Sequence, residues 1–369
     1  MPPAKKKTCY PVHHTLRGHL QPLKIAVRLT FMVTLLFGAG AFSDSTPDNQ
    51  ASLAKKINCP LFGAVRGLDT TLTIQIQNVH RSYVLHLPGD YACGSKHPLV
   101  IGLHGYTGSG SDFQHKTTGM FASINRNSYI GVFPNGTESA PGSGITSFND
   151  LGSRFDNGPL GPTCTPVSHP YDDFENCPKT EQIRQCHWGT SCADDLLFLR
   201  RLIDYLQAHY SIHAGRIFLM GFSQGAQTAA GIACSLQDKL AAVIPVHGFP
   251  TRGYACGPES KVSLLQIVGH QDQVVNGVGQ ASADGMIYDS AATTASVWAK
   301  AQHCAKNGNT PFPTVSDGYR GWQCTEHANC TSAASIVTCS WQGGHVWAKQ
   351  GARNIGLEAI WEFMGSTSK

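Results

Sequence analysis

The sequence predicts one α/β domain built on a mostly parallel sheet. Five short runs, at 98–104, 129–133, 216–220, 241–246 and 263–268, are continuously apolar, as strands covered on both faces by helices must be. Helical periodicity falls between them, at Asp194–His209, Gln224–Cys234, Ala291–His303 and Asn354–Phe363. No second core-sized block is left over, so residues 59–366 read as a single domain.

Composition narrows the class before any element is placed. Of 369 residues, 41% are hydrophobic and 14% charged, which excludes intrinsic disorder. Residues 1–41 hold six basic residues and no acidic one, ahead of the apolar run Phe31–Phe42. That is the layout of a secretory signal peptide over 1–41, with a polar linker over 42–58, and the apolar run is too short for a stable membrane span. Without the leader the chain is slightly acidic, so a nucleic-acid partner is not expected. Of 13 cysteines only Cys9 lies in the leader. The remaining twelve read as disulfides formed in an oxidising compartment, with a pairing that spacing alone does not reveal. No pair shows C-x-x-C spacing, so no structural metal is expected. Asn135 and Asn329 head N-x-T triplets and are candidate glycosylation sites.

The elements follow in order. Thr71–Gln77 alternates apolar and polar residues and Ser82–Leu87 follows it closely, so the two read as edge strands ahead of the central runs. Residues 136–192 are rich in Gly, Pro, Asp and Cys and too long for an ordinary loop. They read as an insertion over the strand ends, tied down by Cys164, Cys177, Cys186 and Cys192.

The chemistry concentrates at strand ends. Gly221-Phe222-Ser223-Gln224-Gly225 matches G-x-S-x-G between an apolar strand and a small-residue helix, the context of a nucleophile elbow. A serine hydroxyl needs a base to take its proton, and the base needs an orienting carboxylate. Among downstream acids, Asp272 sits just beyond the strand ending at Val268. Among histidines, His303 falls on a helix and His327 in a cysteine-flanked loop. His345 instead follows the strand Ile336–Trp341 through Gln-Gly-Gly, in a loop able to fold over the elbow. An oxyanion also needs two backbone N–H donors. The segment after the first central strand, Leu103-His104-Gly105-Tyr106, offers the Tyr106 N–H, and Gln224 N–H supplies the second. No metal or organic cofactor is required.

These motifs, with Trp188…Cys192-Ala-Asp194-Asp195, Val268-Gly-His-Gln-Asp272-Gln-Val-Val275 and Gly343-Gly-His345-Val-Trp347, resemble the extracellular polyhydroxybutyrate depolymerase-like esterases. That group includes feruloyl and acetylxylan esterases of carbohydrate esterase family 1. The resemblance implies an α/β-hydrolase fold from about Cys59 to Phe363, a Ser223, Asp272, His345 triad, and an oxyanion hole at Tyr106 and Gln224. It departs at Tyr106, where several relatives have Cys, and at Val275-Asn276-Gly277, where Val-Pro-Tyr is usual.

The expected function is a secreted, extracellular serine carboxylesterase, monomeric, acting on plant cell-wall polysaccharide esters. Feruloyl esters of arabinoxylan rank first, acetylxylan second and polyhydroxybutyrate third. The ranking rests on the chain ending soon after its last helix, with no added film-binding domain, and on Trp347 and Trp188 as candidates, beside Tyr106, for a slot holding a flat acyl ring, with aromatic packing in the core as the alternative for these residues. The non-enzyme alternative is an inactive α/β-hydrolase-like binding module, which should have lost a triad member or an elbow glycine.

Overall fold

The computed structural model of the chain describes residues 60–76, 79–168, 171–178, 186, 189–305 and 309–369. The leader, the linker, Cys59 and Trp188 lie outside the described residues. Ile57–Lys369 forms one compact unit. The strands of its main sheet are β1 (Asp69–Ile76), β2 (Val79–His86), β3 (His97–Leu103), β4 (Ile130–Pro134), β5 (Ile212–Phe222), β6 (Ala242–Val246), β7 (Ser263–Gly269), β8 (Asn309–Pro311), β9 (Gln323–His327) and β10 (Ile336–Trp341). Its main helices are α1 (Phe121–Asn127), α2 (Asp195–His209), α3 (Gln224–Ile232), α4 (Ala291–Ala301) and α5 (Ile355–Ser366).

The ten strands form one sheet in the order β1-β2-β4-β3-β5-β6-β7-β10-β9-β8. The six from β4 to β10 run parallel, and antiparallel pairs close both edges. Side chains alternate across this sheet. Leu99, Ile101, Ile217, Leu219 and Val243 pack on one face with Phe198, Leu202 and Leu206 of α2 and Trp298 of α4. Val100, Phe218, Met220, Ile244 and Ile267 pack on the other with Ile360 and Phe363 of α5. Apolar residues at both parities are why the central runs look continuous in the sequence. A mostly parallel sheet with helices packed on both faces is the α/β-hydrolase architecture expected from the sequence.

Two readings need correction. Gln323–His327 is strand β9 rather than loop; it pairs antiparallel with β10 near an open edge, so its polar residues carry no apolar signal. The helix placed over Ala291–His303 ends at Ala301, and His303 takes a left-handed φ of 54° beyond its C-cap.

The insertion is stapled by Cys164–Cys186 and Cys177–Cys192. Cys234–Cys256, Cys304–Cys330 and Cys324–Cys339 crosslink the rest of the described chain, and Cys93 is disulfide-bonded as well. A buried ion pair fixes the insertion's root. Arg81 on β2 meets Asp195 at 2.6 Å and lies over the Phe198 ring at 4.1 Å, while Asp195 also accepts from Asn149 N–H at 2.7 Å. Its neighbour Asp194 caps α2 by accepting from Leu197 N–H. Removing one partner of a buried pair strands the other charge. Arg81→Met should therefore lower the unfolding free energy in urea by about 3–5 kcal/mol, and a loss below about 1 kcal/mol would contradict the pairing's role.

Candidate active site

Five sheet neighbours, β3, β5, β6, β7 and β10, each deliver a chemically active segment from the carboxyl end, where α/β sheets bind ligands. These segments start at His104, Ser223, His247, His270 and Gln342.

Ser223 stands between β5 and α3 with φ 55° and ψ −125°. This is strained backbone for a residue with a side chain. The turn can close because Gly221 and Gly225, two residues to either side, carry no side chain: a Cβ on Gly221 would lie 2.2 Å from Gly225 O, and one on Gly225 would lie 2.4 Å from the carbonyls of Leu103 and His104. The elbow thus presses directly on the end of β3. Ser223 Oγ lies 2.8 Å from His345 Nε2, and His345 Nδ1 lies 2.8 Å from Asp272 Oδ2. Its Cβ side faces Gly105, whose own Cβ, if present, would come within 3.2 Å of Ser223 Cβ.

Asp272 is buried, and each of its oxygens has two donors. Oδ1 accepts from Val274 and Val275 N–H, both at 2.9 Å. Oδ2 accepts from His345 Nδ1 and from His247 Nδ1, both at 2.8 Å. Burial alone would raise the carboxyl's proton affinity, but the hydrogen bonds from His247, His345 and the backbone outweigh it and hold Asp272 well below the usual carboxylate range. The loops carrying Asp272 and His345 are joined through the backbone, His270 N–H to Trp341 O at 3.0 Å and Gln271 N–H to Gly343 O at 2.9 Å.

The side of the site expected to hold an oxyanion is organised by His104. Its Nε2 accepts from Gly136 N–H at 2.9 Å, so its Nδ1 carries the proton and donates to Gly105 O at 2.7 Å. Gly108 N–H also donates to Gly105 O, at 3.0 Å. In a trans peptide the C=O and the following N–H point opposite ways. Anchoring the Gly105 carbonyl therefore sets the direction of Tyr106 N–H. Gln224 N–H belongs to the first turn of α3, whose N–H groups have no intrahelical acceptor. The Gln224 side chain is pinned by the insertion, accepting from Phe148 N–H at 3.2 Å and donating to Phe148 O. The insertion also holds the oxyanion loop, through Thr107 N–H to Thr146 O at 2.9 Å and Thr146 Oγ1 to Gly108 O at 2.5 Å.

The aromatic candidates divide. Tyr106 donates its hydroxyl to Asp172 at 2.6 Å and meets Tyr171 edge to face at 5.5 Å, so the insertion clasps its ring. Trp347 does not line a slot: it is 6% exposed, its indole N–H donates to Asn354 Oδ1 at 2.7 Å, and its ring packs near Phe113 and Phe222. It braces the His345 loop against the N-cap of α5, which corrects the expectation of a substrate contact. Beside the oxyanion loop lies an open groove of about 730 Å³, lined by His80, Ser82, Thr107, Asp112, Thr137 and Glu138. Asn135 spends its side-chain amide on Ser82 Oγ and Gly110 N–H, whereas Asn329 is exposed.

His247 is the site residue that sequence reasoning missed. The available signal was its place, directly after the apolar run 241–246, like the other strand-end groups. His247, Asp272 and His345 bring three possible metal-donor atoms within 4.8 Å of one another, but both Nδ1 atoms already face Asp272 Oδ2. Chemically, the arrangement can move a proton from a serine hydroxyl to an imidazole backed by a fixed anion.

Comparison with known proteins follows the same line. A family model described as Serine hydrolase (FSH1) matches residues 95–283. Feruloyl esterase B of Piromyces equi is 23% identical over 274 residues, 72% of this chain and 42% of that protein. The chain thus spans about two fifths of the length of that curated relative. Among solved structures, an acetyl xylan esterase from Aspergillus awamori aligns with a TM-score of 0.50 at 12% identity, over 80% of this chain and 99% of that one. A ferulic acid esterase from Anaeromyces mucronatus, in complex with ferulic acid, aligns with a TM-score of 0.43 at 16% identity, over 81% and 90%.

Burial pushes the His104 imidazole down from 6.5 to about 4. The unfolded chain therefore binds this proton first, so the residue's contribution is fully present above pH 6.5 and is lost as pH falls towards 4. In urea titrations across that window, wild type should lose up to about 3 kcal/mol more than His104→Gln. Parallel curves for the two proteins would show that His104 is not buried as a neutral ring.

Proposed function

We infer, because the chain belongs to the serine hydrolase (FSH1) family, that it is a secreted serine carboxylesterase working through an acyl-enzyme at Ser223. His345 Nε2 takes the hydroxyl proton as Ser223 Oγ attacks the ester carbonyl, and Asp272 orients the imidazolium that forms. The tetrahedral oxyanion lies between Tyr106 N–H and Gln224 N–H. His345 then gives its proton to the departing alcohol, and a water deprotonated by the same imidazole releases the acid. The observation that carries this reading is the Ser223–His345–Asp272 relay at 2.8 Å per step on a strained elbow. An inert binding module would have no need to keep that strain. Secretion is supported by the leader and by the disulfides; a glycan would sit on Asn329, since the Asn135 amide is engaged. Ser223→Ala should reduce kcat on p-nitrophenyl acetate by on the order of 10⁶, and wild-type turnover in that variant would reject the assignment.

For substrate we propose an ester on a hydroxylated plant polymer, feruloyl first and acetylxylan second. The groove beside the proposed oxyanion loop is of mixed lining, and His80, Ser82, Asp112 and Glu138 in it offer hydrogen-bonding groups to a polymer rich in hydroxyls. With Trp347 withdrawn into the core, this ranking no longer rests on its ring. Comparing kcat/KM on methyl ferulate and p-nitrophenyl acetate, with clearing of a polyhydroxybutyrate film as a third arm, tests it. Cleavage of methyl ferulate without film clearing is expected; film clearing without ferulate cleavage would reverse the order.

A further inference from the structure

We propose that His247 is a positioning residue for the Asp272–His345 pair: a neutral imidazole that shares Asp272 Oδ2 with His345, fixing the carboxylate and tempering its pull on the imidazolium. The proposal rests on reading Ser223, Asp272 and His345 as the triad.

The tautomer of His247 follows from its neighbours. Trp341 Nε1–H can only donate, and it points at His247 Nε2 from 3.1 Å. Nε2 must therefore present its lone pair, which puts the proton on Nδ1, 2.8 Å from Asp272 Oδ2. Protonating Nε2 would set two N–H groups against each other in a fully buried place. The residue is also held by its backbone, which takes a φ of 52° and donates N–H to Ile267 O at 2.9 Å. The titratable groups facing it are Asp272 and His345, whose ring lies 6.0 Å away. Its other neighbours, Trp341, Phe222 and the Gly269 backbone, are uncharged. Burial, the largest influence, keeps the ring neutral against the pull of Asp272.

A carboxylate with all four lone-pair directions occupied cannot turn. The two imidazole N–H groups also compete for charge on one oxygen. With His247 present, Asp272 stabilises protonated His345 less, and the free base that accepts the Ser223 proton persists to lower pH. Removing His247 should reverse both effects.

The test is the pH dependence of kcat/KM on p-nitrophenyl acetate for full-length wild type, His247→Ala and His247→Asn. Asn tolerates a left-handed φ and retains an N–H donor. His247→Ala should move the acidic limb upward by about half to one pH unit and lower the plateau by on the order of tenfold. His247→Asn should return the limb to its wild-type position. An acidic limb in His247→Ala coincident with wild type overturns the proposal, whatever the plateau. If His247→Ala fails to fold, proton NMR of wild type and His247→Asn decides. Loss of one low-field imidazole N–H resonance from wild type to the variant supports it, and an unchanged set overturns it. Ser223→Ala separates the two layers. Wild-type turnover there removes both the triad and this role, whereas Ser223-dependent turnover with an unmoved limb removes only the role of His247.

Discussion

The site depends on one buried anion. Ionised Asp272 can persist out of water only if its oxygens are met by donors, because an unpaired buried carboxylate would neutralise instead. The structure supplies Val274 and Val275 N–H from its own loop, His345 from the loop after β10 and His247 from the end of β6. Satisfying this group draws three strand ends together. It also fixes the imidazole that faces Ser223, so the placement of that ring is a by-product of satisfying a charge.

The second half of the site is built by close backbone approach. The elbow presses on β3 through positions that admit no side chain, which brings Gly105 against Ser223. His104 then turns the Gly105 carbonyl away, and the insertion holds Gln224 and Thr107 from above. Strain at Ser223 is tolerated because surrounding contacts over-determine it. Cys164–Cys186, Cys177–Cys192 and the Arg81–Asp195 pair tie down the same insertion, linking its stability to the placement of Gln224 and Thr107.

Much of this was legible in the residues. Parallel strands buried on both faces must be apolar at every position, so the central runs and the helices between them stood out. Ser223 and Asp272 each follow such a strand within a few residues, His345 follows the more polar β10, and the structure brings the three together. His247 obeys the same rule but belongs to no motif, and its partner Trp341 lies 94 residues away, a contact only the fold creates. The sequence left Trp347 open between a substrate slot and the core, because proximity to His345 says nothing of which way an indole faces; its N–H found the N-cap residue Asn354 and its ring the core. Strand β9 was hidden by polar side chains on a strand one place from the sheet edge.

The central claim is that Ser223 is an activated nucleophile, and covalent labelling tests it most directly. Intact protein treated with a fluorophosphonate and digested for peptide mapping should carry one adduct, on Ser223, formed fast in wild type and lost when His345 is replaced by Ala. An adduct on another residue, or labelling of Ser223 at the same rate without His345, would contradict the account.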